Sequence, residues 1–252
     1  MPGAISTGSI STHITPGIPA DFFLPTDIPN LVGWWRADAI NGVADGGAVS
    51  TWPDSSPAAL NLVQDTGSLQ PVWIQKPSGL NGQPTVRFTS DRIVASYSTN
   101  LTAFSIYAAI IPTGSTFREI MNKSSSAGQR NFYFVLRETT DLLTIGFTNA
   151  ADTYNDTNSV AAVTDGAAAI VGGTWDGTTL LNDLNGTEAT TSPVVTPQLV
   201  GSSLYVGDLF TGGAEYYAQD ISEIILYSVG LTASQRSLVR RYLGIKYGVT
   251  VS

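Results

Sequence analysis

Few residues in this chain can do chemistry, and their types narrow it at once. There is no cysteine and a single histidine, so thiol nucleophiles, disulfides and Cys-ligated zinc are excluded. His13 stands alone in a Ser/Thr/Pro-rich stretch, poorly placed for a Ser-His-Asp triad or a histidine metal site. Carboxylates remain. Glycoside hydrolysis needs two of them about 5–9.5 Å apart, one protonated, and alternate positions on a strand put two acids on one face. The nearest approach is Asp220-Ile-Ser-Glu223, whose spacing of three predicts acids facing opposite ways. No clear strand carries acids at i and i+2, so the chain reads as non-enzymatic.

Binding chemistry is better supplied. Ala151-Asp-Thr-Tyr-Asn-Asp-Thr-Asn158 is the most polar stretch and reads as a surface loop. It offers Asp152, Asn155, Asp156 and Asn158 as oxygen ligands and Tyr154 as a stacking face. The alternative to an ordinary loop is a glycan site or a Ca2+ site, since Ca2+ takes 6–8 oxygens; the sequence leaves the metal unknown. A second exposed loop, Phe210 to Tyr217, brings Tyr216 beside the flexible pair Gly212-Gly213. Five tryptophans (Trp34, Trp35, Trp52, Trp73 and Trp175) offer flat faces to sugar rings, but Trp is mostly buried and core packing is the expectation for most of them. Adjacent Trp34 and Trp35 must point to opposite faces, one of them into the core.

Charge bounds the partners. The net charge is −8, which argues against a phosphate-neutralising nucleic-acid surface. Between Glu138 and Gln235 there are twelve acids and no Lys or Arg. Most are Asp beside Gly, Asn or Thr, as turn chemistry requires; the sharper reading is a cation site. No apolar window is long enough to cross a membrane, and the N-terminus lacks the basic and apolar regions of a secretory signal.

The elements that position these residues are strands. The 252 residues are 42% hydrophobic but only 13% charged, with 29 Thr, 25 Ser, 25 Gly and 13 Pro, the composition of many short strands and turns. Leu31 to Arg36, Ala103 to Ile111, Asn131 to Glu138, Leu142 to Thr148, Ala167 to Trp175 and Ile221 to Tyr227 read as strands. Asp176-Gly177 and Asn185-Gly186 read as hairpin turns. Repeated turn signals between short runs favour an antiparallel sandwich or barrel. One helix closes the chain: Thr232 and Gln235 form a capping box, Leu238, Val239, Tyr242 and Leu243 make an apolar stripe, Lys246 suits the last turn, and Gly248 is the stop.

Residues 1–30 differ from the rest. They hold five prolines and no Lys or Arg and read as an extended arm. The apolar knot Phe22-Phe23-Leu24 within it is costly to leave in water, at roughly 1.5–3 kcal/mol for each large side chain. It is the expected contact with a partner or a second copy, and the domain proper is expected to run from 31 to 252.

Leu31-Val-Gly-Trp-Trp-Arg-Ala-Asp-Ala39 followed by Val49-Ser-Thr-Trp-Pro-Asp-Ser-Ser56 resembles the opening of concanavalin A-like, LamG-type jelly-roll domains. Leu80 to Phe88, Phe104 to Ile111 and Ile221 to Thr232 are similar to their later strands. The trailing helix ending Tyr242-Leu-Gly-Ile-Lys-Tyr-Gly248 matches a version found in bacterial and phage proteins. The resemblance covers about residues 31–248. It implies an all-β, antiparallel two-sheet jelly-roll sandwich with an extended N-terminal arm and one C-terminal helix. Relatives bind glycans or proteins through edge loops or the concave face, and some hold calcium.

An adhesion-type fold without cysteine or export signal can reach the outside by being built into a virus particle. The expectation is therefore a non-catalytic bacteriophage virion protein: a head decoration protein, a fibre, or a tail-associated receptor-binding module on the virion surface. Its arm would hold other virion proteins, its copies would form a homo-oligomer, a trimer being one form, and it would touch host-surface glycans. The alternative is a bacterial carbohydrate-binding or adhesion module at the cell surface; third comes a glycan hydrolase or lyase of the same fold.

Overall fold

A computed structural model describes residues 23–114, 117–126, 128–209 and 219–252. In chain order its strands are β1 (Leu31–Arg36), β2 (Thr51–Trp52), β3 (Leu62–Val63), β4 (Val72–Ile74), β5 (Thr85–Phe88), β6 (Ile93–Ser96), β7 (Phe104–Pro112), β8 (Arg118–Ser126), β9 (Gln129–Leu136), β10 (Leu142–Thr148), β11 (Tyr154–Ala162), β12 (Ala169–Trp175), β13 (Leu180–Leu184), β14 (Thr187–Thr191), β15 (Ser203–Val206) and β16 (Gln219–Tyr227), followed by helix α1 (Ala233–Tyr247).

They form two antiparallel sheets packed face to face, a β-sandwich of jelly-roll type. The first runs β14-β13-β12-β7-β16-β5-β4, with β1 also paired to β16; the second runs β11-β10-β9-β8-β15-β6-β3-β2. Their inner faces bury one core, including Trp35, Trp52, Phe104, Phe132, Phe147 and Trp175. Alternation makes this possible: on β7, Ile106, Ala108 and Ile110 face the core, while Tyr107, Ala109 and Ile111 face outward. Those outward residues are not in water. Helix α1 covers them through Val239, Leu243 and Tyr247, and the first sheet therefore has cores on both faces. That explains the unbroken apolar run of β7. Trp34 and Trp35 do point to opposite faces, and each is buried in one of the two cores.

Local signals place α1 as its sequence reads. The Thr232 hydroxyl accepts from the Gln235 N–H at 3.3 Å, the Gln235 side chain accepts from the Thr232 N–H at 2.9 Å, and Gly248 ends the helix at φ 69°. No described helix is long and apolar enough to cross a membrane. Asn185 (φ 51°) and Gly186 (φ 93°) make the two-residue turn between β13 and β14, as an Asn-Gly hairpin requires.

The boundary at residue 31 shifts. Phe23 is 3% exposed and Ile28 is buried, both within the core under α1. Phe23 stacks edge-on against Tyr242 at 6.3 Å, and the Tyr227 hydroxyl donates to the Pro25 carbonyl at 2.9 Å. The domain thus begins at or before Phe23. Phe23 is consumed by its own fold and is not open to a partner; Leu24, 48% exposed, is. Phe22 and the rest of the arm lie outside the described residues, as does His13.

Candidate functional site

The geometry of the acid pair Asp220 and Glu223 departs from expectation. On β16, Ile221 pairs with Ile110 and Glu223 with Ala109 of β7, leaving Ser222 as an extra residue. This bulge falls where β16 changes its other neighbour from β5 to β1. An inserted residue restores the phase, so Asp220 and Glu223 share the outer face; the expectation of opposite faces was wrong. Both acids are engaged. Arg87 holds Asp220 through two bonds of 2.7 and 2.8 Å. Glu223 is fully buried and accepts from Trp34 Nε1 at 2.5 Å, Lys246 Nζ at 2.7 Å and the Tyr247 hydroxyl at 2.7 Å. Burial, with Glu223 alongside, pushes the Tyr247 hydroxyl well above its ordinary pKa. This carboxylate ties α1 to β16 and β1.

Other acids of the cation-free stretch behave alike. Asp183 and Glu188 share Arg240 at 2.7 Å each, and Glu188 also holds Arg236 at 2.9 Å. Arg92 reaches Asp208, and Arg118 reaches Asp141 and Asp165. Their partners come from before and after the stretch. Among the described residues no group of three or more acids or histidines could hold a metal ion.

The polar stretch 151–158 is only in part a loop. Residues 149–153 turn: the Asn149 side chain accepts from the Ala151 and Thr153 N–H groups, and Asp152, at φ 56°, accepts from Gln198 Nε2 at 3.0 Å. From Tyr154 the chain is β11, an edge strand paired with β10. Asp and Asn are depleted in strands, which hides it from a sequence reading. Alternation then sorts the side chains. Asn155 lies opposite Phe147, whose side chain is in the core, and so faces away from Tyr154 and Asp156. Tyr154, Asp156 and Asn158 line the outer face. The four oxygen ligands do not close around a cation.

Three neighbours hold this outer row in place. Tyr133 of β9 crosses Gly146 of β10, where a Cβ would lie 2.5 Å from its hydroxyl, and donates to Asp156 Oδ2 at 2.8 Å. Arg137 donates to the same oxygen at 2.6 Å. The Thr144 hydroxyl donates to Asn158 Oδ1 at 2.5 Å. Tyr133 and Tyr154 meet edge-on at 5.8 Å, and the Arg130 guanidinium lies over both rings at 5.1 and 5.5 Å. Burial, then the Asp156 charge, raises the Tyr133 pKa, so its proton stays available to the carboxylate. Tyr154 is 48% exposed and the Asp156 side chain 26%. The result is an exposed aromatic ring, an anchored carboxylate and an oriented amide along one strand, the groups that stack on a sugar ring and bond its hydroxyls.

Of the residues singled out in the sequence, Tyr154, Asp156 and Asn158 share this outer face; Tyr133, Arg137, Thr144 and Gly146 beside them were not singled out. The alternation of Phe132, Tyr133 and Phe134 was the available signal for the first. Tyr216 lies outside the described residues. The tryptophans form no sugar platform: Trp35, Trp52 and Trp175 are in the inner core, and Trp73 donates to the Ala37 carbonyl at 2.9 Å. The Trp-Pro-Asp-Ser-Ser motif is a strut, since Asp54 accepts from the Trp34, Ser56 and Leu60 N–H groups.

No protein-family model matches the sequence, and no curated protein does. Solved structures match in fold. The binding domain of Paraclostridial Mosquitocidal Protein 1 is 14% identical, with a TM-score of 0.61 over 86% of this chain and 52% of that one. The ligand-binding domain of botulinum neurotoxin serotype D, solved with N-acetylneuraminic acid, is 10% identical, with a TM-score of 0.58 over 84% and 50%. Trypanosoma rangeli sialidase, solved with sialic acid, is 13% identical, with a TM-score of 0.60 over 96% and 37%. The chain spans about half the length of the toxin domains and just over a third of the sialidase. At these identities the likeness is one of fold.

Proposed function

We propose that this chain is a non-catalytic binding module that grips a saccharide along β11 and is carried on the surface of a bacteriophage particle, as a head decoration protein, a fibre or a tail-associated receptor-binding module. The observation that carries the binding reading is the outer row Tyr154, Asp156 and Asn158, exposed on an edge strand and braced from behind by Tyr133, Arg137 and Thr144. The fold neighbours support it by analogy: they include receptor-binding domains and complexes with sialic acid. The engagement of Asp220 and Glu223 in ion pairs supports the non-catalytic part. Residues 1–22 are the anchor to other virion proteins and to further copies of this chain, a trimer among the forms expected. Calcium is not required by this reading.

A glycan panel tests the binding part. Binding that falls about tenfold in Tyr154→Ala and in Asp156→Asn, and is unmoved by chelator, is the expected result; a flat panel removes it. Deleting residues 1–22 tests the anchor. The shortened chain should stay folded, because Phe23 and everything packed on it is kept, and should no longer join particles or oligomers. Normal assembly of the shortened chain would refute the anchor; failure of the full chain to join particles at all would favour the alternative, a free-standing bacterial adhesion module.

A further inference from the structure

The spacing of the β11 row sets the kind of saccharide it takes. Resting on the binding reading above, we infer that the site takes the interior of an extended, uncharged polysaccharide chain lying along β11, not a terminal or acidic sugar. Tyr154, Asp156 and Asn158 stand at alternate positions of one strand, so successive contacts lie about 6.6–6.8 Å apart and the three together span roughly 13 Å. A single pyranose ring cannot reach all three. Consecutive residues of a chain parallel to the strand can, with one ring over Tyr154 and later hydroxyls at Asp156 and Asn158. The row lies on the outer face of the last strand of its sheet, and Val160, two residues beyond Asn158, is 72% exposed. A chain can therefore continue past the site at that end.

The polar atoms define the chemistry further. Tyr133 and Arg137 both bond Asp156 Oδ2, which holds the carboxylate with its other oxygen as an acceptor for a hydroxyl. Thr144 bonds Asn158 Oδ1, which turns the amide NH2 outward as a donor. An acceptor and a donor in sequence suit hydroxyls, each of which both donates and accepts. Charge disfavours an anion. Arg137, whose side chain is 38% exposed, is already paired with Asp156, the Arg130 side chain is nearly buried, and Asp152 flanks the row in the preceding turn.

The experiment is calorimetric titration of the full chain with cello-, malto- and manno-oligosaccharides of one to six residues, and with oligogalacturonates as acidic counterparts. For at least one neutral series, affinity should rise about tenfold or more between one residue and four, then level off. Asn158→Ala should shorten the length at which it levels off without loss of fold, read by near-ultraviolet circular dichroism. Capping the chain ends chemically should leave the hexamer unaffected. A monosaccharide that binds as well as its hexamer, or binding abolished by end-capping, overturns the extended-chain inference while leaving saccharide binding intact. Oligogalacturonates that match the neutral hexamers at low salt overturn the uncharged assignment. Failure of every oligosaccharide, with the parent chain folded, removes the inference together with the binding reading beneath it.

Discussion

The two sheets carry the same three-strand device on their outer faces and use it differently. On the first, Tyr107 of β7 crosses Gly172 of β12 and donates to Asp183 of β13 at 3.2 Å. On the second, Tyr133 of β9 crosses Gly146 of β10 and donates to Asp156 of β11. In each, the glycine leaves room for a ring that any Cβ would strike. In each, an arginine completes the carboxylate: Arg240 from α1 on the first, Arg137 from the end of β9 on the second. The difference is the roof. Helix α1 covers the first device, and Tyr107 and Asp183 are buried. Burial pushes the Asp183 carboxyl up against the pull of Arg240, whereas Glu188, also burdened by burial, is held low by Arg236 and Arg240. The second device sits on an edge strand with Tyr154 and Asp156 reaching solvent. One local pattern thus serves as a clamp where it is covered and as a candidate contact surface where it is not.

The largest expected contrast is between the two arginines. Arg240→Leu leaves Asp183 as an uncompensated buried charge and should cost about 3–5 kcal/mol in urea unfolding. Arg137→Leu breaks a partly exposed pair and should cost about 1 kcal/mol or less. Equal losses would erase the distinction between clamp and surface. The two glycines sharpen it. Gly172→Ala and Gly146→Ala should each destabilise by about 1–3 kcal/mol through overpacking, but only Gly146→Ala should also weaken saccharide binding, by displacing Tyr133 from Asp156. If Gly172→Ala weakens binding equally, with the fold intact at the assay temperature, the two devices are coupled and not separate.

Lys123 supplies a buried charge of a third kind. It has no ion-pair partner among the described residues and donates to the carbonyls of Tyr97, at 2.8 Å, and Gly201. Burial lowers its pKa from 10.5 to about 8. Below pH 8 the lysine is protonated in both folded and unfolded chains. Above it the unfolded chain keeps a proton that the folded chain releases, so stability rises with pH. A gain of about 1 kcal/mol between pH 8 and 9 is expected, absent in Lys123→Met. The window closes near pH 10, where buried tyrosines with raised pKa values, such as Tyr133 and Tyr227, act in the opposite sense. A flat profile would show that the two carbonyls keep the ammonium charged. The smallest effect is that of Tyr154→Ala on stability, within about 0.5 kcal/mol for an exposed side chain; a larger loss would mean that this tyrosine belongs to the fold more than to the surface.

Much of this protein was legible because its signals are local. Thr232, Gln235 and Gly248 delimit α1 through bonds within a few residues, and Asn185-Gly186 sets a turn by its own backbone preferences. The apolar run of β7 announced a strand, and the cores on both of its faces account for the run being unbroken. The failures are as specific. β11 was read as loop because its residues are poor strand formers, and its pairing with β10 overrides them. Asp220 and Glu223 were placed on opposite faces because a bulge depends on which strands lie beside β16. Phe23 was assigned to a partner because nothing within 22–24 shows that Tyr242, more than two hundred residues away, would stack against it.

By itself, then, the amino-acid order determined the long apolar strands, the Asn-Gly turn and both ends of the helix, that apolar faces had to be stacked in layers, and that thiol chemistry was closed off. Only the tertiary structure decided which tyrosine–glycine–aspartate device would be roofed and which left open, and which distant arginine would answer each acid of the cation-free stretch. The reason is physical. Turns, caps and alternation are set by atoms a few bonds apart, whereas burial and ion pairing depend on surfaces that meet only after the chain has crossed between two sheets.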